Sequence, residues 1–485
     1  NVHIFFNKHL FGARGFIPQP AGTPSALDPS GLGCATIPAS CPLNKFRTYD
    51  GTCNNLRNPV LGTPNTPYNR LLPQKYGDEP HQTRCCSDEG QFLELASIPE
   101  HCFPIVIPDN DIVHARNNIK LVYGNTVEIN QQVRLFRAGR LRVEIRRGQQ
   151  WPPRSLNASG VCVLQNPQDA CYLAGDARAN QNPQLTILQI IFIREHNRIA
   201  AVLGKLNPHW DDEIIFQEAR KINMAQHQHI TYYEWLPIFI GLDNSINHRI
   251  IWETNSFVND YNDSVNPTVL NEHATAAFRY FHSLIAGNLH LITESRKSRG
   301  SLRLSDWFNR PQILEEGDNF DDLARGLNTQ HELASDQYHD SENVQNLASL
   351  YECPDDVDLT VGGSLEVHVP GTLVGPTFLC ILTEQFYRTR VGDRFWFENE
   401  GETGFTLDQL YEIRKSTISR LLCDNGRNIR AMQPRGFEKI SPSNAVVPCE
   451  SLPAVDLSLW KEARVGRVGI VEDQLHLPPH IFYKK

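Results

Sequence analysis

Three observations predict a mainly α-helical chain folded as a single large domain with long irregular connections. The chain has 485 residues at 40% hydrophobic composition, enough to bury a large core. Apolar residues recur at helical spacing through its middle and C-terminal half. Strand-like runs are few and short, and no internal repeat is visible. Net charge is -9, with no Lys/Arg cluster interleaved with aromatics, so nucleic acid is excluded as a partner. The longest apolar run near the middle, Ile187 to Ile193, is interrupted by Gln189 and is too short to span a bilayer.

Residues 1–40 are rich in Gly, Pro and Ser without a sustained period and read as a leader or flexible arm. From Tyr49 to Glu79 prolines recur (Pro59, Pro64, Pro67, Pro73), which disfavours helix and predicts an extended segment wrapped over the body. The first strong helix begins at Pro183 after Asn182 and runs through Leu206, apolar around most of its circumference and therefore a core helix. A second starts at Asp211–Asp212, whose carboxylates suit a helix N-terminus, and continues to Ile230. The spacing predicts a third over Ala274–Leu289, and further helices over Val344–Tyr351, Leu379–Arg388 and Leu407–Leu422. The main domain is expected over residues 41–465, with a tail over 466–485.

Twelve cysteines, several locally paired, read as disulfides from an oxidising compartment. The pairs expected from spacing are Cys34 with Cys41, Cys162 with Cys171, and Cys423 with Cys449. Two sequons, Asn157-Ala158-Ser159 and Asn262-Asp263-Ser264, agree with a secreted, extracellular glycoprotein.

Four residues are candidates for chemistry, each with a plain alternative. His282, within FRYFHSLIAGNLH, has Phe278, Ile285 and Leu289 on its predicted helical face; alone it reads as a core histidine more readily than as a ligand. Asn399 could cap a loop, Arg279 could form a surface ion pair, and Arg178 could pair with Asp176 or cap a helix. His227 and His229, two apart on a helix, point to different faces and do not suggest a shared metal.

The segment CYLAGDARANQNPQLTILQIIFIREHNRIAAVLGKLNPHWDDEIIFQEARKI, from Cys171 to Ile222, resembles the central motif block of the animal haem peroxidases. The likeness continues through YDGTCNNLRNP (49–59), HCFPI (101–105), FRYFHSLI (278–285), FDDLARGLNTQ (320–330), PDDVDLTVGG (354–363) and VGDRFWFENEG (391–401). It implies a secreted enzyme that uses haem b and hydrogen peroxide to oxidise small phenolic or anionic donors. His282 is then the proximal iron ligand, and Asn399 accepts a hydrogen bond from its second ring nitrogen, fixing the tautomer. Arg279 faces a haem propionate, where a guanidinium matches a carboxylate. Arg178 is the distal arginine, a permanent charge beside bound peroxide.

The chain also departs from the family. Members carry a Gly-Gln-x-x-Asp-His-Asp pattern whose histidine is the distal base. No Asp-His-Asp occurs here, and Gly90-Gln91-Phe92-Leu93 is followed by Glu94 and Leu95. The Asp and Ser ligands of the family's calcium loop are replaced around Asn118 and Lys120, so the resemblance implies that the calcium site is lost. Near Tyr338–Ser341 the family's Arg-Gly-Arg-Asp-His-Gly helix is missing, leaving Cys380 to seek another partner such as Cys353. Gln181 stands where a glutamate would esterify haem, which implies non-covalent haem. The resemblance thus implies a peroxidase of impaired activity; the alternatives are a non-catalytic extracellular haem-binding or adhesion protein, or an incomplete gene product.

Overall fold

The computed structural model describes residues 40–59, 61–62, 69, 71, 120–330, 341–351 and 357–462. The arm up to residue 39, the 90–95 stretch, residue 118, residues 338–340 and the 466–485 tail lie outside the described residues, as do Cys34 and Cys353. Helices dominate, and the strands among the described residues form three short antiparallel ribbons.

Helix α1 (Pro183–Leu206) is the spine. It starts where the sequence predicts: the Asn182 side chain accepts the Gln184 N–H, and Pro183 sits at the first helical position, where its missing N–H costs nothing. Its N-terminal half (Ile187, Ile190, Ile191, Phe192, Ile193) belongs to one core cluster and its C-terminal half (Ile199, Ala200, Leu203) to a second. Helix α2 (Asp212–His229) begins at Asp211, whose carboxylate accepts the Ile214 N–H, and packs Ile215, Ala219 and Ile222 into the second cluster. Helix α3 (Asn319–Leu327) joins the first cluster and α4 (Pro376–Val391) the second. The helix predicted over Val344–Tyr351 spans Ser341–Leu350.

Two predicted helices are corrected. Leu407–Leu422 is two helices, α5 (Leu407–Ile413) and α6 (Ile418–Asn425), because Thr417 turns extended and caps α6 by accepting the Arg420 N–H. Ala274–Leu289 is no continuous helix. A π-turn over His273–Ala277 gives way to a 3-10 turn over Tyr280–Leu284, and Asn288–Ile292 is a strand paired with Ser298–Arg303. Tertiary packing overrides the local pattern: Phe278 stacks on His273 and meets Phe281 edge-on, while the Tyr280 hydroxyl donates to the Leu373 carbonyl. These anchors lie in directions that one α-helical face cannot serve.

The described part of the proline-rich segment wraps as expected. Just before it, Arg47 forms a buried ion pair with Asp393 at 2.6 Å. Asn54 donates to the Gly392 carbonyl and Asn55 to that of Asp263. Disulfides Cys162–Cys171 and Cys423–Cys449 form as predicted. Cys41 bonds Cys53, not Cys34: the Asp50 carboxylate accepts the Thr52 N–H and Cys53 adopts a positive φ, a tight turn that places the two Cα atoms 5.5 Å apart. Cys380, expected to reach Cys353, is an exposed free thiol on the outer side of α4.

Candidate functional site

His282 lies where the two cores meet. Tyr280, Phe281 and Leu284 pack with the second cluster, whereas Ile285 and Leu289 pack with the first. The segment is held by rings: Phe278 lies 6.3 Å from Trp235 and 6.1 Å from Phe386, and Phe281 lies 5.9 Å from Phe239. His282 Nδ1 is 2.8 Å from the Arg279 carbonyl oxygen. A carbonyl can only accept, so Nδ1 carries the proton and the lone pair belongs to Nε2. Burial, then the nearby Arg279 charge, lowers the imidazole pKa against the opposing pull of that carbonyl bond, so the ring is neutral at pH 7. A neutral imidazole with its lone pair on Nε2 is the form that binds a metal. Arg279, just ahead of the turn, donates from Nε to the Ala274 carbonyl at 2.9 Å.

Asn399 ends the VGDRFWFENE loop. Its Nδ2 donates to the Asp393 carbonyl at 3.2 Å, and its backbone N–H donates to Trp396. Its Oδ1 is buried without a hydrogen-bond partner. A buried amide oxygen without a donor costs about 1–3 kcal/mol, so it marks a place where a donor belongs. The loop around it is tied down by side-chain contacts. Asp393 caps it by accepting the Phe395 N–H and is held by Arg47. Next to Asn399, the buried Glu398 carboxylate accepts hydrogen bonds from Tyr233, Trp396 and Arg414 and forms an ion pair with Arg390 at 3.2 Å. Burial opposes its ionisation, but Arg390 and these hydrogen bonds outweigh it and hold the carboxyl below the usual range. The His282 N–H is given to Arg279, so the structure does not pair it with Asn399.

Arg178 sits in the 3-10 turn Ala177–Asn180, capped by Asp176. The guanidinium makes a two-pronged ion pair with that same Asp176, Nε to Oδ1 at 3.0 Å and the terminal nitrogen to Oδ2 at 2.7 Å. The pairing offered above as the plain alternative is therefore made. The arginine side chain stays 34% exposed. Gln181 closes the turn, and its carbonyl accepts the Asn309 N–H. The turn leads directly into α1, whose Gln184 lines a cavity of about 60 Å³ with Ile285, Ala286 and Leu289. The first turn of α1 thus shares a cavity with the segment after His282.

Buried polar groups that the sequence reading did not single out also position this region. The Tyr123 hydroxyl lies 2.9 Å from His196 Nδ1, and His196 Nε2 lies 2.9 Å from the Gly139 carbonyl. Asn223 donates to the Tyr123 hydroxyl and so ties α2 to α1. Burial pushes the His196 pKa down to about 3, so it is neutral. A readable signal existed: His196 is one of five polar residues in a row, Arg194 to Arg198, within a largely apolar helix. Asp393 could have been found too, since an Asp two residues before an aromatic pair in a loop is a side-chain cap.

The chain matches the family described as animal haem peroxidase over residues 46–98, 118–342 and 332–437. It is 40% identical to the peroxidase of Drosophila melanogaster over 588 positions, covering 90% of this chain and 85% of that protein. Since 90% of 485 residues is about 437, roughly 150 of those 588 positions face a gap in this chain. It is 32% identical to the Drosophila chorion peroxidase, covering 78% of this chain and 58% of that protein. Among solved structures, peroxidase A from Dictyostelium discoideum has the same fold, with a TM-score of 0.65 at 23% identity over 82% of this chain and 100% of that one. A fatty acid alpha-dioxygenase from Arabidopsis thaliana shares the fold at a TM-score of 0.59 and 14% identity, over 89% of this chain and 88% of that one.

Proposed function

The chain belongs to the animal haem peroxidase family, and we propose that it holds haem b non-covalently on His282 and oxidises small phenolic or anionic donors with hydrogen peroxide, slowly, because its distal base is missing. The observation that carries this reading is the His282 ring, seated where the two cores meet with its Nδ1 held by the Arg279 carbonyl. The neutral His282 ring, with its lone pair on Nε2, supplies the matching ligand.

When bound, haem supplies the redox chemistry on peroxide and on the donor. His282 contributes the iron ligand through Nε2. Its Nδ1–H is held by a carbonyl, which makes the ring a stronger donor, and Asn399 Oδ1 is the further acceptor in the same core. Arg279 supplies the cation for a propionate. Gln181 offers an amide where ester formation needs a carboxylate, so attachment through that residue is excluded. Arg178, oriented by its ion pair with Asp176, would supply a positive charge toward bound peroxide, as the family resemblance implies. No residue of this chain is assigned the proton transfer between the peroxide oxygens, a step that a placed base accelerates by about 10²- to 10⁴-fold. The calcium site is absent from the proposal, since Lys120 stands in its loop. The disulfides support secretion.

Steady-state oxidation of a phenol by the haem-loaded chain, measured beside the Drosophila peroxidase, tests this. We expect turnover lower by about 100-fold or more; equal rates would contradict it. A second reading, a non-catalytic extracellular relative or an incomplete product, is favoured by the roughly 150 unmatched positions. It predicts no turnover above that of free haem.

A further inference from the structure

Two exposed asparagines take no part in the chemistry above, and the fold gives them different surroundings. Asn157 precedes the short helix Ala158–Val161, yet its side chain makes no capping bond. Its backbone N–H donates to the Ser155 hydroxyl at 3.3 Å. Its carboxamide lies over Gly160, where an added Cβ would fall 2.6 Å from Nδ2, so the glycine keeps the amide nitrogen uncovered. The preceding Leu156 is fully exposed, an apolar side chain with nothing over it. The loop is firm beneath: Cys162 is bonded to Cys171, and the Ser155 N–H donates to the Cys171 carbonyl at 2.8 Å.

Asn262 is also exposed but more engaged. Its Oδ1 accepts the Ser264 N–H at 2.9 Å, and its own N–H donates to the Val391 carbonyl. The Ser264 hydroxyl lies 3.4 Å from the Asp263 carboxylate, which also pairs with Arg57 at 3.2 Å.

We propose that Asn157 is an acceptor for an N-linked oligosaccharide, that the sugar covers Leu156, and that Asn262 is a minor acceptor. This rests on the secretion reading, because the donor is found on that route. The reaction balances without redox change. Asn157 Nδ2 attacks the anomeric carbon of a polyprenyl-diphosphate-linked oligosaccharide and a C–N bond forms. The C–O bond to the diphosphate breaks, the diphosphate leaves with that electron pair, and the amide gives up one proton. The serine two residues on must present its hydroxyl to the transferring enzyme. Ser159 follows a neutral alanine and is uncontested. Ser264 follows Asp263, whose carboxylate competes for the hydroxyl even in a short peptide.

The test is to express the full chain in insect cells behind a heterologous signal sequence, so that entry to the secretory route does not depend on the chain's own leader. The secreted protein is treated with peptide N-glycosidase in heavy-oxygen water and its peptides are weighed. We expect most molecules to carry heavy-oxygen aspartate at 157 and a minority at 262. Ser159→Ala should abolish the label at 157 with Asn157 intact, and Asp263→Ala should raise the label at 262 at least twofold. Asn157→Gln should secrete but self-associate more, with Leu156 bared. An unlabelled Asn157 in disulfide-bonded secreted protein overturns the proposal, and higher occupancy at 262 than at 157 overturns its ranking. If the chain is labelled at 157 by this route but stays inside the cell with its own upstream sequence, the secretion reading fails and the acceptor assignment stands.

Discussion

The His282 side and the Arg178 side of this molecule solve opposite problems. On the His282 side the polar groups around the site are locked by buried partners, Arg47 on Asp393 and Arg390 with Arg414 on Glu398, yet several buried atoms there, Asn399 Oδ1, Arg47 Nε and Arg390 Nε among them, make no hydrogen bond. On the Arg178 side the charge is already answered by Asp176 and a third of the side chain meets solvent. The first arrangement is buried and only partly satisfied; the second is partly exposed and paired.

The contrast can be broken most forcefully at Asp393. Asp393→Ala strands the Arg47 guanidinium in the core and removes the cap of the Asn399 loop, and should cost about 3–5 kcal/mol, read as a shift in the urea midpoint. A loss under about 1 kcal/mol would mean that this side is not held as described.

A pH experiment comes next. Burial pushes the Glu234 carboxyl up to about 7, against the two backbone N–H groups it accepts, from Ile418 and Gly436. A folded pKa above the unfolded one means that its stabilising contribution is present below the unfolded value, near 4.5, and is lost as pH rises through about 7. The protein should therefore gain up to about 3 kcal/mol from this group between pH 8 and pH 5. Glu234→Gln should flatten that part of the profile, and an unchanged slope would remove Glu234 as its source.

The smallest stability effect is expected at Arg178. Arg178→Ala removes a partly exposed ion pair worth less than about 1 kcal/mol, so the midpoint should barely move while the remaining peroxide turnover of haem-loaded protein falls about 100-fold. A large loss of stability with unchanged turnover would make Arg178 a brace and nothing more.

What the sequence made legible follows local physics. Asn182-Pro183 and Asp211-Asp212 announce the starts of α1 and α2 because capping is a contact within one turn. The turn that carries His282 was misread as helix because its shape is imposed by Trp235, Phe239, Leu373 and Phe386, all distant in sequence. Cys41 was paired with the wrong neighbour because a positive φ at Cys53 is invisible in composition. Of the candidate site, the residues proposed come from motifs alone. The Asp176 grip on Arg178 was readable only as one alternative, and the empty acceptor at Asn399 not at all, because an unsatisfied atom exists only once the fold has excluded water from it.

The central claim is that this chain keeps a working proximal side without a working distal one, and the absorption spectrum of the haem-loaded protein tests it most directly. The account predicts a ligated-haem band in the wild-type chain that is lost in His282→Ala and retained in Arg178→Ala. An unchanged band in His282→Ala, or no band in the wild-type chain after loading, would contradict it.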